Sequence, residues 1–178
     1  MKAIRFAALL PALFILSHSV SAQLNSKDQK IVNDASEAKQ EFIKSDGLIK
    51  NLFNNAYAYV ILPNVGKGGL GIGGAAGNGA VYQGGEVIGM AKMTQVTIGF
   101  QGGGQAYREV IFFETKADLD RFKENRFELS AQASAVALTA GASANAKYTN
   151  GVMIFTQTKG GLMYEASIGG QKFKFREI

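Results

Sequence analysis

The pattern of apolar and polar residues after position 25 is that of an amphipathic helix. Ile31, Ala35, Ala38 and Phe42 are spaced four, three and four positions apart, between residues that are mostly charged and of mixed sign. At 3.6 residues per turn this spacing places the four side chains on one face, which predicts a helix packed on the rest of the domain. Its start is predicted at Ser26-Lys27-Asp28-Gln29, the pattern of a capping box.

After Ser45-Asp46-Gly47, which ends this helix, and a short second helix over 48–54, the pattern changes to the period of two that is typical of β-strands. Residues 56–62 form the first predicted strand, which Pro63-Asn64 ends. All 22 glycines lie between Gly47 and Gly170, where they favour bends and close backbone approach in a curled sheet. Hairpin turns are predicted at Asn78-Gly79 and Gly84-Gly85, and further strands over 69–76, 80–83, 86–93, 96–101 and 105–113.

The second half continues this pattern after one inserted helix. Thr115 is predicted to cap a helix through Asn125, with Leu119 and Phe122 facing inward. Residues 130–147 alternate alanine with other residues, which favours strands, although alanine alone fits a helix equally well. The last four predicted strands, 144–149, 152–158, 162–168 and 171–178, form an antiparallel meander with turns at Asn150-Gly151, Gly160-Gly161 and Gly169-Gly170.

These elements predict an α+β fold: a curled or barrel-like, mainly antiparallel, glycine-rich β-sheet with N-terminal helices and one inserted helix. Residues 1–22 combine two cations, a short apolar run and small residues before Gln23, which is typical of a cleaved secretory signal peptide. The apolar run is shorter than the roughly 20 residues that a spanning helix needs. Residues 23–178 are therefore predicted to form a single exported domain, in the periplasm, associated with the outer membrane, or secreted.

The lack of cysteine and histidine in residues 23–178 excludes several classes of catalytic and metal-binding site. The chain has no cysteine, and its one histidine, His18, lies in the predicted signal peptide. Ser-His and Cys-His catalysis, disulfides and the usual zinc ligands are therefore excluded from residues 23–178. Carboxylate catalysis remains formally open, but Asp118 and Asp120 are two positions apart on a predicted helix and do not face each other. Glu109 is expected at the surface or at a barrel rim. We expect no enzyme activity, no metal and no cofactor.

One motif resembles a dinucleotide-binding fingerprint. Gly66, Gly68 and Gly71 have the spacing G-x-G-x-x-G, and Glu86 follows 20 residues after Gly66. The motif should open a helix, yet more glycines follow it and no βαβ unit surrounds it. We therefore do not assign a nucleotide site. A net charge of about +3 for residues 23–178 is also far below the basic density of nucleic-acid-binding proteins.

The C-terminal residues are the most suggestive group. In a strand, Lys172, Lys174 and Arg176 point to one side, and Phe173 and Phe175 to the other. The three cations would suit lipid phosphates, and arginine can bind a phosphate through two hydrogen bonds. The structural alternative, a charged edge strand that discourages unwanted pairing, is common and stays open.

The chain from about Ala56 to its C-terminus resembles the SYLF domain, which is the actin-binding domain of yeast endocytic adaptors, in a bacterial exported form. The resemblance is carried by residues 60–64, 66–82, 99–105, 130–147 and 164–170. It implies phospholipid binding, with phosphoinositides as ligands in eukaryotic members, and no enzyme activity. This chain has no tryptophan, whereas many members carry one near the position of residues 88–93.

The leading hypothesis is an anionic-phospholipid-binding protein of the cell envelope. Its predicted lipid-binding residues are Lys172, Lys174 and Arg176, with Lys67 and Lys92 as weaker additions. The alternative is a periplasmic structural or protein-interaction module with an envelope protein as its partner and no specific lipid. An integral outer-membrane barrel ranks third, because the chain lacks long outward apolar strands and clear aromatic girdles.

Overall fold

The computed structural model describes residues 24–99, 105–125, 127–130, 135–159 and 168–178, so the predicted signal peptide lies outside it. Within these residues the fold is α+β, as predicted, and the strands form one sheet in the order β4-β5-β3-β1-β2-β6. Every pairing is antiparallel except β4 with β5. The elements are α1 Ser26–Ser45, α2 Ile49–Asn55, β1 Ala58–Gln83, β2 Glu86–Gly99, β3 Gln105–Phe113, α3 Lys116–Lys123, β4 Val136–Ala137, a 3₁₀ helix Ala142–Asn145, β5 Val152–Thr158 and β6 Lys172–Glu177.

The amphipathic helix is confirmed, and its cap lies one residue earlier than predicted. Ala35, Ala38 and Phe42 are buried on the sheet. Asn25, rather than Ser26, is the N-cap, because its side chain accepts a hydrogen bond of 2.9 Å from the backbone amide of Asp28. Asparagine caps helices at least as well as serine, so either residue fits the sequence signal.

Strand β1 corrects two predicted boundaries. Asn78-Gly79 is not a turn: both residues lie within β1 and pair with Lys92 and Ala91 of β2. Pro63 does not end the strand but falls at a shift in the β1–β3 register between Leu62 and Val65, a position where a missing backbone donor is tolerated. The turn at Gly84-Gly85 is confirmed, with positive φ at both residues.

The two parts of β1 lie against each other, because the strand bends back within its glycine-rich middle. Its first part pairs with β3 and its second part with β2. A Cβ atom added to Gly79 would lie 2.4 Å from the carbonyl oxygen of Ile61, and one added to Gly77 would lie 3.0 Å from that of Asn64. Only glycine allows two backbones to approach so closely.

Side chains on the two faces of the sheet form two separate apolar cores. The outer face packs under α1 and α2, where Phe42 and Phe53 meet Tyr59 and Phe112. The inner face packs with α3 and is rich in aromatic residues, which include Phe113, Phe122, Phe127 and Phe173. This division follows the alternation of side chains along each strand.

The sheet is curled, as the short length of the chain segment that connects its two edges shows. The amide of Leu129 donates to the carbonyl of Gln171 beside β6 (2.9 Å), whereas Val136 pairs with Phe155 of β5 at the other edge. The seven Cα–Cα steps from Leu129 to Val136 can span at most about 25 Å. In a flat sheet these positions would be six strand spacings apart, about 29 Å, so the edges must approach each other.

The second half matches the sequence prediction only in part. Thr115 caps α3 through a capping box with Asp118, as predicted, but the helix ends at Lys123. The turn at Asn150-Gly151 is confirmed by positive φ at both residues. The predicted meander is wrong, because β6 pairs with β2 and β5 pairs with β3 and β4; Gly160-Gly161 and residues 162–167 lie outside the described residues.

The alanine-rich segment 130–147 is mostly not strand. Where it is described, it contains only the two-residue β4 and the 3₁₀ helix Ala142–Asn145. Alternation of small residues is a weak β signal, because strand preference depends on side chains large enough to pack.

A buried carboxylate joins this 3₁₀ helix to the corner between α1 and α2. Asp46 is 3% exposed. Its Oδ2 accepts hydrogen bonds from the amide and hydroxyl of Ser143 (2.8 and 2.6 Å), and its Oδ1 accepts one from the amide of Leu48 (3.0 Å). Burial alone would raise the pKa of Asp46, but the bonds from Ser143 and Leu48 outweigh it, so the pKa lies below 3.8.

We expect Ser143→Ala to lower the free energy of unfolding by about 1.5–3 kcal/mol at pH 7, because it removes a hydrogen bond to a buried charge. A depressed folded pKa stabilises the protein above the unfolded pKa, and this contribution is lost as the pH falls through the folded value. The difference from wild type should therefore shrink below about pH 3.8. Urea denaturation at pH 7 and pH 3 measures this difference, and Ser36→Ala, at an exposed position of α1, is the control. An equal loss of stability in both variants would contradict the stabilising role of the Ser143–Asp46 hydrogen bonds.

Candidate functional site

The pairing of β2 with β6 brings four cations to one face of the sheet. Lys92 lies directly opposite Lys174, and Met93 opposite Phe173. Because Met93 and Phe173 are buried in the inner core, their strand neighbours must point outward. This outward surface, which we call the basic face, consists of Lys92, Lys172, Lys174 and Arg176.

Two of the four cations have carboxylate partners. The Arg176 guanidinium lies 2.6 Å from Oδ2 of Asp28, whose side chain is only 8% exposed, so Arg176 fastens β6 to the start of α1. Lys172 lies 3.6 Å from Glu128, and both side chains are well exposed, an arrangement that contributes little to stability.

Lys92 and Lys174 are different. Neither forms an ion pair with any residue that the structure describes, and both are exposed. Like charges directly opposite each other in an antiparallel pair destabilise the sheet. Among the described residues, no carboxylate therefore forms an ion pair that would balance the positive charge of Lys92 and Lys174.

Lys67 does not join the basic face. It lies on β1 opposite Gln105 and is buried, and burial lowers the pKa of its ammonium group. The sequence could not place it, because the register shift between Leu62 and Val65 decides which side of the sheet Lys67 faces.

An apolar residue that the sequence reasoning missed lies beside the basic face. Val96 is 77% exposed and follows Lys92 and Thr94 along β2 at every second position, so all three point outward. The sequence contained a signal for this position, because Val96 follows Lys92 by four residues and both must therefore point to the same side of a strand. A cationic surface beside an exposed apolar side chain suits the boundary between lipid headgroups and acyl chains.

The inner face contains a buried polar group, Glu109, which corrects the expectation of a surface or rim position. Glu109 is fully buried, and its Oε2 accepts a hydrogen bond of 2.9 Å from Nε2 of Gln171, which also donates to the Tyr107 hydroxyl. The other oxygens of the two side chains, Oε1 of Glu109 and Oε1 of Gln171, have no partner in the described structure. Burial raises the pKa of Glu109 to about 7, against the opposing effect of the Gln171 hydrogen bond.

We expect Glu109→Gln to flatten the pH dependence of stability. A carboxyl group with a raised folded pKa stabilises the protein below its unfolded pKa, and this contribution is lost as the pH rises toward about 7. The wild type should lose up to about 1.4 kcal/mol per pH unit across this window relative to the variant. Urea denaturation from pH 4.5 to pH 8 measures the slopes; parallel slopes would contradict the buried titration.

Two further structural findings bear on function. None of the described helices is both long and apolar enough to span a bilayer. No group of three or more acidic, histidine or cysteine side chains suited to a metal ion occurs among the described residues.

Comparison with known proteins identifies the second half of the chain. Residues 94–177 match the family model described as "Ysc84: Las17-binding protein actin regulator". This match relates residues 94–177, a little less than half of the chain, to the Ysc84, or SYLF, family. The chain is also similar to a protein named beta cell expansion factor A from Aeromonas veronii, with 37% identity over 71 residues, or 40% of this chain. The match spans about a quarter of that relative's length, 27%.

The Ysc84 match confirms the resemblance inferred from the sequence. It contains β3, α3, β4, β5 and β6, and with them the three cations of β6. Lys92 lies two residues before it, and α1, α2 and β1 precede it entirely. The basic face is therefore formed by β6 of the Ysc84 region and by a residue just outside its matched boundary.

Proposed function

We propose that this chain is a non-enzymatic phospholipid-binding protein of the bacterial cell envelope that recognises anionic headgroups through its basic face. The observation that carries the proposal is the pairing of Lys92 with Lys174. A sheet that holds two exposed ammonium groups opposite each other gives up stability, and an anionic surface would supply the missing negative charge.

The energetics suit a membrane surface. Each lysine or arginine close to an anionic leaflet contributes about 1 kcal/mol of attraction, so Lys92, Lys172 and Lys174 together would supply about 3 kcal/mol. Val96, which points to the same side, would add apolar contact with the headgroup boundary. Arg176 would act mainly by fixing β6 against α1 through Asp28.

The match to the Ysc84 family and the N-terminal sequence support the proposed class and location of the protein. The Ysc84 family is described by binding and actin regulation, which favours a binding role over catalysis. Residues 1–22 have the pattern of a signal peptide, and an exported bacterial protein would not meet actin inside its own cell. Anionic bacterial phospholipids are therefore the proposed ligands.

A periplasmic protein-interaction module is the second candidate. The same uncompensated Lys92 and Lys174 would fit an acidic protein surface, and high salt would weaken either interaction. Binding to protein-free vesicles separates the two functions.

Vesicle co-sedimentation of the purified protein tests the proposal. We expect binding to vesicles that contain anionic phospholipid, little binding to zwitterionic phosphatidylcholine vesicles, and loss of binding at high salt. Absence of binding to anionic vesicles at low salt would reject lipid recognition and leave the protein-interaction module as the better explanation.

A further inference from the structure

A polar groove lies between α1 and the sheet, apart from the basic face. Its cavity volume is about 270 Å³. The wall from α1 contributes Lys30, Asp34 and Glu37, and the wall from the sheet side contributes Asn64, Arg108 and Lys159. The only apolar side chains that line it belong to an alanine and a proline. A groove this small and polar suits a charged group rather than an acyl chain.

The helix wall carries an uncompensated negative charge. Lys30 neutralises Asp34 at 3.0 Å, and Asp34 also accepts a hydrogen bond of 3.3 Å from the side-chain amide of Asn64. Glu37, one turn further along α1, is exposed and forms no ion pair within the described residues. Its carboxylate is therefore available to a cationic group in the groove.

The sheet wall carries two positive charges held by neutral partners. Arg108 donates a hydrogen bond of 3.2 Å to Oε1 of Gln157, and Lys159 donates one to Oδ1 of Asn64. The amide nitrogen of Gln157 donates in turn to Ser45 and to the backbone carbonyl of Glu41 on α1. Arg108 is thus fixed in place before any ligand arrives, which reduces the entropy lost on binding.

We propose that this groove binds a small zwitterion in which a phosphate stands beside an ammonium group, as in an ethanolamine phosphate headgroup. Arg108 and Lys159 receive the phosphate, since guanidinium and ammonium groups are strong phosphate donors. Glu37 accepts hydrogen bonds from the ligand's ammonium group. The site deepens the proposed function and rests on it for the lipid-borne form of the ligand; a free phosphorylated amine has the same chemistry.

The groove and the basic face lie on opposite flanks of α1. Asp28, which contacts Arg176, and Lys30 are two positions apart, which corresponds to about 200° around the helix. Asp34 and Glu37 share the flank of Lys30. Substitutions in the groove therefore leave the contacts of the basic face intact, and the two sites can be tested separately.

Titration calorimetry of the whole protein with three soluble probes tests the ligand chemistry. We expect O-phosphoethanolamine to bind at least about tenfold more tightly than inorganic phosphate, which lacks the ammonium group, or ethanolamine, which lacks the phosphate. No binding of O-phosphoethanolamine, or phosphate binding of equal strength, would overturn the proposal.

Matched variants locate the site. Lys159→Gln should weaken O-phosphoethanolamine and inorganic phosphate alike by about tenfold, because both probes share the phosphate contact. Glu37→Gln should weaken only O-phosphoethanolamine, down to the affinity of phosphate. Both side chains are exposed, so the fold should persist, and Lys50→Gln on α2 is the control of equal charge change. If Lys50→Gln weakens binding as much as Lys159→Gln, the groove is not the site.

Vesicles without anionic lipid identify the source of the ligand. Binding to phosphatidylethanolamine but not to phosphatidylcholine, lost in Glu37→Gln, would support a lipid headgroup, because the choline ammonium has no hydrogen to donate. Binding of free O-phosphoethanolamine alone would support a soluble ligand. If the protein binds neither phosphatidylethanolamine vesicles nor free O-phosphoethanolamine, the proposed groove site is overturned, even if the protein binds anionic vesicles. If the protein does not bind anionic vesicles, the proposed function is rejected, whatever the titration with soluble probes shows.

Discussion

Replacing both Lys92 and Lys174 by glutamate is expected to reduce binding to anionic vesicles by about three orders of magnitude. Each cation near an anionic leaflet contributes about 1 kcal/mol, and the double reversal changes the charge of the basic face by four units. The resulting loss of about 4 kcal/mol corresponds to roughly a thousandfold at 1.4 kcal/mol per factor of ten. Co-sedimentation over a range of lipid concentrations at low salt measures it.

The control for this prediction changes the same net charge elsewhere. Lys50 and Lys147 are exposed and lie outside the basic face, so Lys50→Glu with Lys147→Glu should change binding only a few-fold. If this control loses binding as strongly as the double variant, net charge alone governs association. If Lys92→Glu with Lys174→Glu binds normally, the basic face is not the lipid contact.

The single variant Lys92→Glu separates binding from stability. It replaces a repulsive cross-strand pair by an attractive one with Lys174, so we expect the free energy of unfolding to rise by about 0.2–1 kcal/mol. Vesicle binding should nevertheless fall by about thirtyfold, for the loss of roughly 2 kcal/mol. Weaker binding by a more stable protein cannot be attributed to misfolding.

Local sequence signals predicted the local parts of the fold. The apolar face of α1, the Thr115 cap of α3 and the turn at Gly84-Gly85 each depend on residues within a few positions of one another. Asn78-Gly79 carries an equally good local turn signal, yet it lies in the middle of β1. Pairing of the whole segment with β2 outweighs a two-residue preference, and that pairing is not visible in a short window.

The candidate site was predictable to the extent that strand alternation determines it. Alternation placed Lys172, Lys174 and Arg176 on one face, and the structure agrees in this geometry. It could not show that Arg176 pairs with Asp28, which lies 148 positions earlier, or that Lys67 is buried. Those outcomes depend on strand order and on the docking of α1, which the sequence pattern does not specify.

Glu109 is a second residue whose position the sequence pattern did not predict. Glu109 was expected at the surface or at a barrel rim, and as a strand neighbour of Arg108 it points to the opposite face of the sheet. Arg108 reaches the groove under α1, whereas Glu109 enters the interior beside Gln171. The two residues therefore belong to different sites, and the pairing of β3 with β1 and β5 was needed to show which of the two faces is the interior.

Gly79→Ala is expected to lower the free energy of unfolding by about 3 kcal/mol, at the upper end of the range for overpacking a well-packed site. The added Cβ would lie 2.4 Å from the carbonyl oxygen of Ile61 and 3.0 Å from its carbonyl carbon. Both atoms are backbone, so no side-chain rotation relieves the overlap, and the two parts of β1 must separate. Thermal unfolding followed by circular dichroism should show a decrease in Tm of about 6–12 °C.

Gly66→Ala is the matched control on the same strand. No atom lies within 4 Å of a Cβ added there, and Gly66 is not among the residues with positive φ, so the change in stability should stay within about 0.5 kcal/mol. Equal Tm values for the two variants would show that the close approach of Ile61 and Gly79 is not required. A loss confined to Gly79→Ala would establish that the glycine there lets β1 bend back on itself, which brings β2, and with it the basic face, next to the helices.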